Sequence, residues 1–159
     1  MILIILYAFR SELNYFYHRT LAVLIPFYTW VDNDDKQTIA IARQNDGHFY
    51  INTVVNNVPI RFMIDTGATG IALTKQDAIK LGINLKTLEY NKAHSTANGI
   101  TYSAKVTLKS LRIENTVFSD IKAHVSQGNL DVSLLGMSVI SRFKSFTIDQ
   151  DLLYITPDL

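Results

Sequence analysis

The amino-acid sequence predicts one mostly β domain carrying two short helices, and three observations predict it. Short runs such as "HFYINTVV", "PIRFMI" and "TYSAKVTL" alternate apolar and polar side chains, the period-two pattern of strands with one face on a core. Asn56-Asn57 and Asn98-Gly99 stand between such runs as tight-turn residues. Helical signals are confined to two stretches, one beginning at Thr74 and one following Gly136. With 159 residues, 48% of them hydrophobic, the chain can bury a substantial core, and one catalytic or binding domain is the ceiling.

Along the chain, the first 31 residues differ from the rest. "MILIILYAF" and "LAVLIPFYTWV" are apolar runs separated by the more polar "RSELNYFYHRT", and neither approaches the roughly 20 residues a bilayer-spanning helix requires. With Arg10 and Arg19 as flanks and Trp30 near the end, residues 1–31 are expected to be a hydrophobic anchor or the remnant of a membrane region. A tail packing on the domain accounts for the same residues equally well. Residues 32–46, acidic and then mixed polar, are expected to be a tether, and residues 47–159 the folded domain.

Within that domain, Phe49, Ile51, Thr53 and Val55 share one face, as do Ile60, Phe62 and Ile64, giving a hairpin that turns at Asn56-Asn57 and leads into Asp65. "ALTKQDAIKLGI" reads as a short helix with Thr74 as N-cap, Asp77 in capping-box position and Gly82 as the stop. Tyr102, Ala104, Val106 and Leu108 alternate with polar residues, after which Leu111 and Ile113 carry the apolar face in opposite phase. That change predicts a turn or bulge near Ser110. The closing segment reads as strand, glycine, short helix and final hairpin. "RFMIDTGATGIALT" and "DVSLLGMSVISRF" echo each other weakly, and only the first carries an aspartate.

Chemistry concentrates at Asp65-Thr66-Gly67. A carboxylate ending an apolar strand is poorly solvated unless donors compensate it, which makes it a candidate acid or base. Gly67 lets the backbone approach that carboxylate and donate an N–H, and the Thr66 hydroxyl can bond a neighbouring main chain. The turn is suited to holding a carboxylate still, although the bare tripeptide is weak evidence.

The wider context resembles the retropepsin-like aspartic proteases of the bacterial, membrane-associated kind. "FMIDTGAT" is similar to their catalytic loop, with Asp65 followed by Thr66, Gly67 and Ala68. "LLGMSVISRFKSFTI", beginning at Leu134, Leu135 and Gly136, is similar to their second signature. "STANGITYSAKVTL" lies where they have the flap hairpin, with Ala97, Asn98, Gly99 and Ile100 at its tip, and "GHFYINTVVNNVPIRF" resembles their first hairpin. The resemblance implies a closed β domain that is half of a pepsin-type bilobal fold. It also implies an aspartic endopeptidase in which Asp65 of each copy in a homodimer shares one proton and activates water, with no metal or cofactor. Thr66 would brace the two-fold axis, Gly67 would bond the substrate backbone, and the flap would close over a peptide or protein substrate. A domain held at a membrane by the N-terminus and exposed to an aqueous compartment, in the bacterial envelope, completes the expectation. So does self-release by a cut between residues 32 and 47.

Two departures matter. Retroviral members carry an Asp–Arg pair where this chain has Thr69 and Met137, so a dimer contact is missing and weak dimerisation is expected. His94 lies beside the flap, where it would lend pH sensitivity or stand as an exposed bystander. The main rival is a module of the same fold that dimerises or binds extended peptides with little catalysis. Aspartyl-phosphate chemistry would need a doubly wound sheet that two short helices cannot supply. A net charge of +1 without a basic cluster argues against nucleic acid, and four scattered histidines with no cysteine argue against a zinc site. Asp120, Asp131, Asp149 and Asp151 read as loop carboxylates rather than a second catalytic aspartate.

Overall fold

The computed structural model describes residues 9–25, 28–32, 37–96 and 99–158. Tyr50–Val55 (β3) and Val58–Ile64 (β4) form the expected hairpin, with Asn56 and Asn57 at φ 47° and 67°. Both positive φ values fit the primed turn that matches strand twist. Alternation survives into burial: Ile51, Thr53 and Val55 face inward opposite Phe62, Ile60 and Val58, and Asn52 and Arg61 face out. Beyond Asp65 the chain returns through Ile71–Leu73 (β5) into the helix Lys75–Lys80 (α2), then a 3-10 turn at Leu85–Thr87. Lys92–Thr96 (β6), Gly99–Ile113 (β7) and Thr116–Ser126 (β8) follow, and Ser133–Leu135 (β9) leads into the one-turn helix Met137–Ile140 (α3).

These strands make one seven-stranded sheet in the order β3-β4-β9-β5-β8-β7-β6, with β3 also pairing β7 so that the sheet curls back on itself. Phe62, Leu73, Leu108, Leu111, Ile113 and Leu135 fill its interior at no more than 1% exposure. A four-stranded sheet packs on this core in the order β1-β2-β11-β10, from Thr29–Asp32 (β1), Thr38–Ala42 (β2), Ser145–Asp149 (β10) and Leu152–Thr156 (β11). Ile39, Ile41, Leu153 and Ile155 join the two sheets in a single apolar cluster.

The second sheet corrects the expectation of a tether over residues 32–46. Thr38–Ala42 is a strand buried from Ile39 onward and paired to the C-terminal strand, Ile39 opposite Ile155 and Ile41 opposite Leu153. Its apolar residues are satisfied by a partner near the other end of the chain, which no local pattern reveals. Residues 29–31 of the expected anchor, with Asp32 of the expected tether, pair with this same strand. Arg10–Leu24 (α1) rests on the turn of the final hairpin through polar contacts, Arg19 to Asp151 at 2.8 Å and Tyr15 to Gln150 at 3.2 Å. His18 stacks on Trp30 with ring centroids 4.4 Å apart, while Phe9, Leu13, Phe16 and Leu24 face outward. Among the described residues no helix is long and apolar enough to cross a membrane.

Near Ser110 there is neither a turn nor an extra residue. The β7–β8 ladder resumes past Lys109 and Asp120 in unchanged register, Leu108 opposite Ile121 and Ser110 opposite Ser119. Asp120, at φ 52°, takes up the local distortion from within β8, so it is a strand residue rather than a loop carboxylate. The apolar face changes phase at this break in both strands together, from Ala104 and Leu108 to Leu111 and Ile113 in β7, and from Phe118 to Ile121 and Ala123 in β8.

Candidate active site

Asp65 lies at the end of β4, half-buried, where the chain leaves the sheet. Its N–H donates to the Leu135 carbonyl at 3.1 Å, extending the parallel β4–β9 ladder by one bond. Its carboxylate Oδ1 accepts the Gly67 N–H at 2.8 Å, and its carbonyl accepts the Ala68 N–H at 3.2 Å. The loop thus fixes both backbone and side chain of Asp65. A Cβ at Gly67 would stand only 3.1 Å from that same oxygen, so glycine keeps the contact close. Thr66 is exposed, and its hydroxyl has no partner among the described residues.

The second signature clasps this loop. Met137 donates to the Ala68 carbonyl and Ser138 to the Thr69 carbonyl, both at 2.9 Å. Gly136 sits between the strands where a Cβ would overlap Ala68 and lie 2.5 Å from the Gly70 carbonyl oxygen. Leu134 pairs with Ala72 of β5, and Leu135 is buried behind Asp65. Four residues read separately from sequence, Asp65, Leu134, Leu135 and Gly136, therefore meet in one structure. Thr69 and Met137, which stand in place of the retroviral ion pair, are both partly or fully exposed at the edge of this loop.

Of the flap, Ala97 and Asn98 lie outside the described residues. Gly99, at φ 107°, pairs with Thr96, and Ile100 and Tyr102 on the same side of β7 as the core residue Ala104 are 75% and 47% exposed. On the opposite side His94 bonds the Ser103 hydroxyl at 2.6 Å and meets His124 edge to face, centroids 5.6 Å apart. His124 is the more informative of the two. Burial, with Lys92, His94 and Lys105 nearby, holds its imidazolium form below the ordinary histidine range.

One feature escapes a motif reading. Thr74 caps α2 as expected, its hydroxyl accepting the Asp77 N–H at 3.0 Å. The reciprocal half of the capping box is routed through Ser133 of β9 instead. The Thr74 N–H donates to Ser133 Oγ at 3.1 Å, and that hydroxyl donates to Asp77 Oδ2 at 2.6 Å. Lys80 Nζ donates to the other oxygen at 2.7 Å. Burial pushes the Asp77 carboxyl up, but the bonds from Lys80 and Ser133 outweigh it and hold the group below the usual carboxylate range. A serine in an apolar strand gave the only sequence signal. A groove of about 420 Å³ beside this cluster is lined by Asn52, Arg61, Asp77, Lys80 and Asp131 and does not reach Asp65. Among the described residues no three His, Asp or Glu side chains converge as a metal site would need.

A curled β domain that ends a core strand in Asp-Thr-Gly and clasps that turn with a second Leu-Leu-Gly strand has the architecture of a retropepsin-like aspartic protease. Residues 51–142 match the family described as "gag-polyprotein putative aspartyl protease". The uncharacterised protein RP867 of Rickettsia prowazekii is 54% identical over 155 residues, covering 98% of this chain and 66% of its own length. The crystal structure of a retropepsin-like aspartic protease from Rickettsia conorii is 53% identical and superposes with a TM-score of 0.71, covering 82% of this chain and 95% of that one. EIAV protease shares the fold at 14% identity and a TM-score of 0.52, over 62% of this chain and 89% of its own. The chain belongs to the retropepsin-like aspartyl protease family. It spans just under two thirds of the length of the rickettsial relative RP867.

Proposed function

We propose that this chain is an aspartic endopeptidase whose catalytic dyad is formed by Asp65 from each of two copies. The observation that carries the reading is Asp65 itself, its carboxylate held by the Gly67 N–H at 2.8 Å in a clasped turn at the protomer surface. These 159 residues carry a single Asp-Thr-Gly, and in this reading a second copy of the chain supplies the second carboxylate. Two carboxylates in contact cannot both ionise, and the pair shares one proton and titrates as a unit. One carboxylate takes a proton from the attacking water while the other protonates the scissile carbonyl oxygen. The resulting tetrahedral diol collapses as the amine leaves with a proton. The unpartnered Thr66 hydroxyl reaches across the two-fold axis, and Ile100 and Tyr102 provide the apolar underside of the flap over an extended peptide with large apolar residues around the cut.

Seating at a membrane interface through the N-terminal segment that carries α1, facing an aqueous compartment of the bacterial envelope, is part of this proposal, supported by the outward apolar side chains of α1. Release by self-cleavage within residues 32–46 is constrained by burial of Ile39–Ala42, since a protease binds its substrate in extended, accessible form. The test is cleavage of a diverse peptide pool between pH 4 and 7 by the full chain and by Asp65→Asn. Cuts made by the native chain alone establish the activity. Peptide binding without cleavage by either protein refutes it in favour of a binding module.

A further inference from the structure

We propose that Ser133 and Asp77 are positioning residues for Asp65, acting as a side-chain clasp at the far end of the two strands that hold the catalytic loop. The proposal rests on the aspartic protease reading and names residues that the Asp-Thr-Gly and Leu-Leu-Gly motifs do not contain.

The loop from Asp65 to Gly70 is delivered by β4, leaves through β5 and is covered by β9. β9 is well tied to β4, with three parallel pairs from Phe62–Ser133 to Ile64–Leu135. Its tie to β5 is slight, a single antiparallel pair, Ala72 with Leu134. At the catalytic end the gap is bridged by the Met137 and Ser138 N–H groups on the Ala68 and Thr69 carbonyls. At the other end no backbone pair follows, and Ser133 takes that place. Its hydroxyl accepts the N–H of Thr74, the residue after β5, and donates to Asp77 one helical turn further on.

Ser133 is fully buried and Asp77 is 9% exposed. The hydroxyl uses its one proton on Asp77 and one lone pair on Thr74, so both of its neighbours lose a partner if it is removed. Lys80 holds the second Asp77 oxygen, which orients the first toward Ser133. Without this bond β5 and β9 are joined only near the loop. Play between them then passes directly to Leu135, whose carbonyl holds the Asp65 N–H, and to Gly136, which packs on Ala68 and Gly70. A buried polar network that is fully satisfied is rigid, and one that has lost a member is not.

The test uses the full chain with Ser133→Ala, Asp77→Ala, the double variant and Asp77→Asn, beside Ile39→Val as a control that loosens the remote sheet. Peptide hydrolysis is measured at a temperature where thermal unfolding shows every variant fully folded, and amide exchange is followed over residues 65–70. Ser133→Ala is expected to lower kcat about tenfold to a hundredfold, the range for small misplacement of a reacting group, with KM nearly unchanged. Exchange at residues 65–70 should quicken in parallel. Asp77→Ala should match it, the double variant should be no worse than either single one, and Asp77→Asn, which keeps an acceptor for Ser133, should stay within about threefold of the native chain. Ile39→Val should move the unfolding temperature and neither of the other readouts. Should Ser133→Ala fail to fold, Asp77→Ala against Asp77→Asn makes the same comparison. Native kcat and native exchange in the folded alanine variants would overturn the proposal. If the native chain cleaves nothing, it is the protease reading that fails, and exchange alone decides whether the clasp holds the loop.

Discussion

Replacing Gly136 with alanine isolates the steric fit between the two signatures. Gly136 has φ −99° and ψ −174°, extended backbone that any residue adopts, so the substitution carries no conformational strain of its own. Its whole effect comes from space. A Cβ would stand 2.5 Å from the Gly70 carbonyl oxygen and overlap Ala68, whereas ordinary contact begins near 3.4 Å, so the catalytic loop must withdraw by about 0.9 Å. Overpacking of this kind destabilises by about 1–3 kcal/mol. A displacement approaching 1 Å at a reacting carboxylate lowers turnover by about a hundredfold. Urea unfolding and peptide hydrolysis measured on the same preparation separate the two consequences, and Gly67→Ala, facing a single contact at 3.1 Å, should show smaller losses of stability. Gly136→Ala with native stability and native kcat would refute the close-approach argument, because the strands would then have room that the geometry denies them.

Other outcomes follow from the same coordinates. Thr74→Ala removes the cap on the Asp77 N–H and should destabilise by about 1 kcal/mol in urea unfolding. His124 is held below the ordinary histidine range in the folded chain by burial and by Lys92, His94 and Lys105 beside it, so the unfolded chain binds more protons between the two values. Stability is therefore fully present above the ordinary histidine value and falls as pH drops through and below it, and His124→Gln should flatten a melting-temperature profile between pH 7 and 5. Phe62→Ala, at a site of zero exposure, should cost about 3–5 kcal/mol by the same urea assay. With Thr69 and Met137 in place of an ion pair, the chain should sediment largely as a monomer at low micromolar concentration, and a tight dimer at nanomolar concentration would contradict that.

What the sequence made legible was local in origin. The Asn56-Asn57 turn, the Thr74 cap and the Asp65 loop each follow from the conformational needs of two to four adjacent residues, and the structure places them as expected. The strand Thr38–Ala42 was hidden because its stabilising partner lies at residues 152–155 and because burial on both faces erases the alternation that marks a strand. The phase change at Ser110 has another origin. Two apolar faces along one strand suggest an inserted residue, yet here the ladder skips the Lys109–Asp120 pair in unchanged register and both strands turn over together, with Asp120 at φ 52°. Ser133 is the most instructive case, since a serine beside two leucines reads as an ordinary strand residue. Its role exists only once Asp77, 56 residues away in sequence, is brought to 2.6 Å by the crossing of β5 and β9. Motifs name the group that performs chemistry. The contacts that keep such a group in place come from chain segments with no reason to share a pattern, and they become visible only where the fold closes.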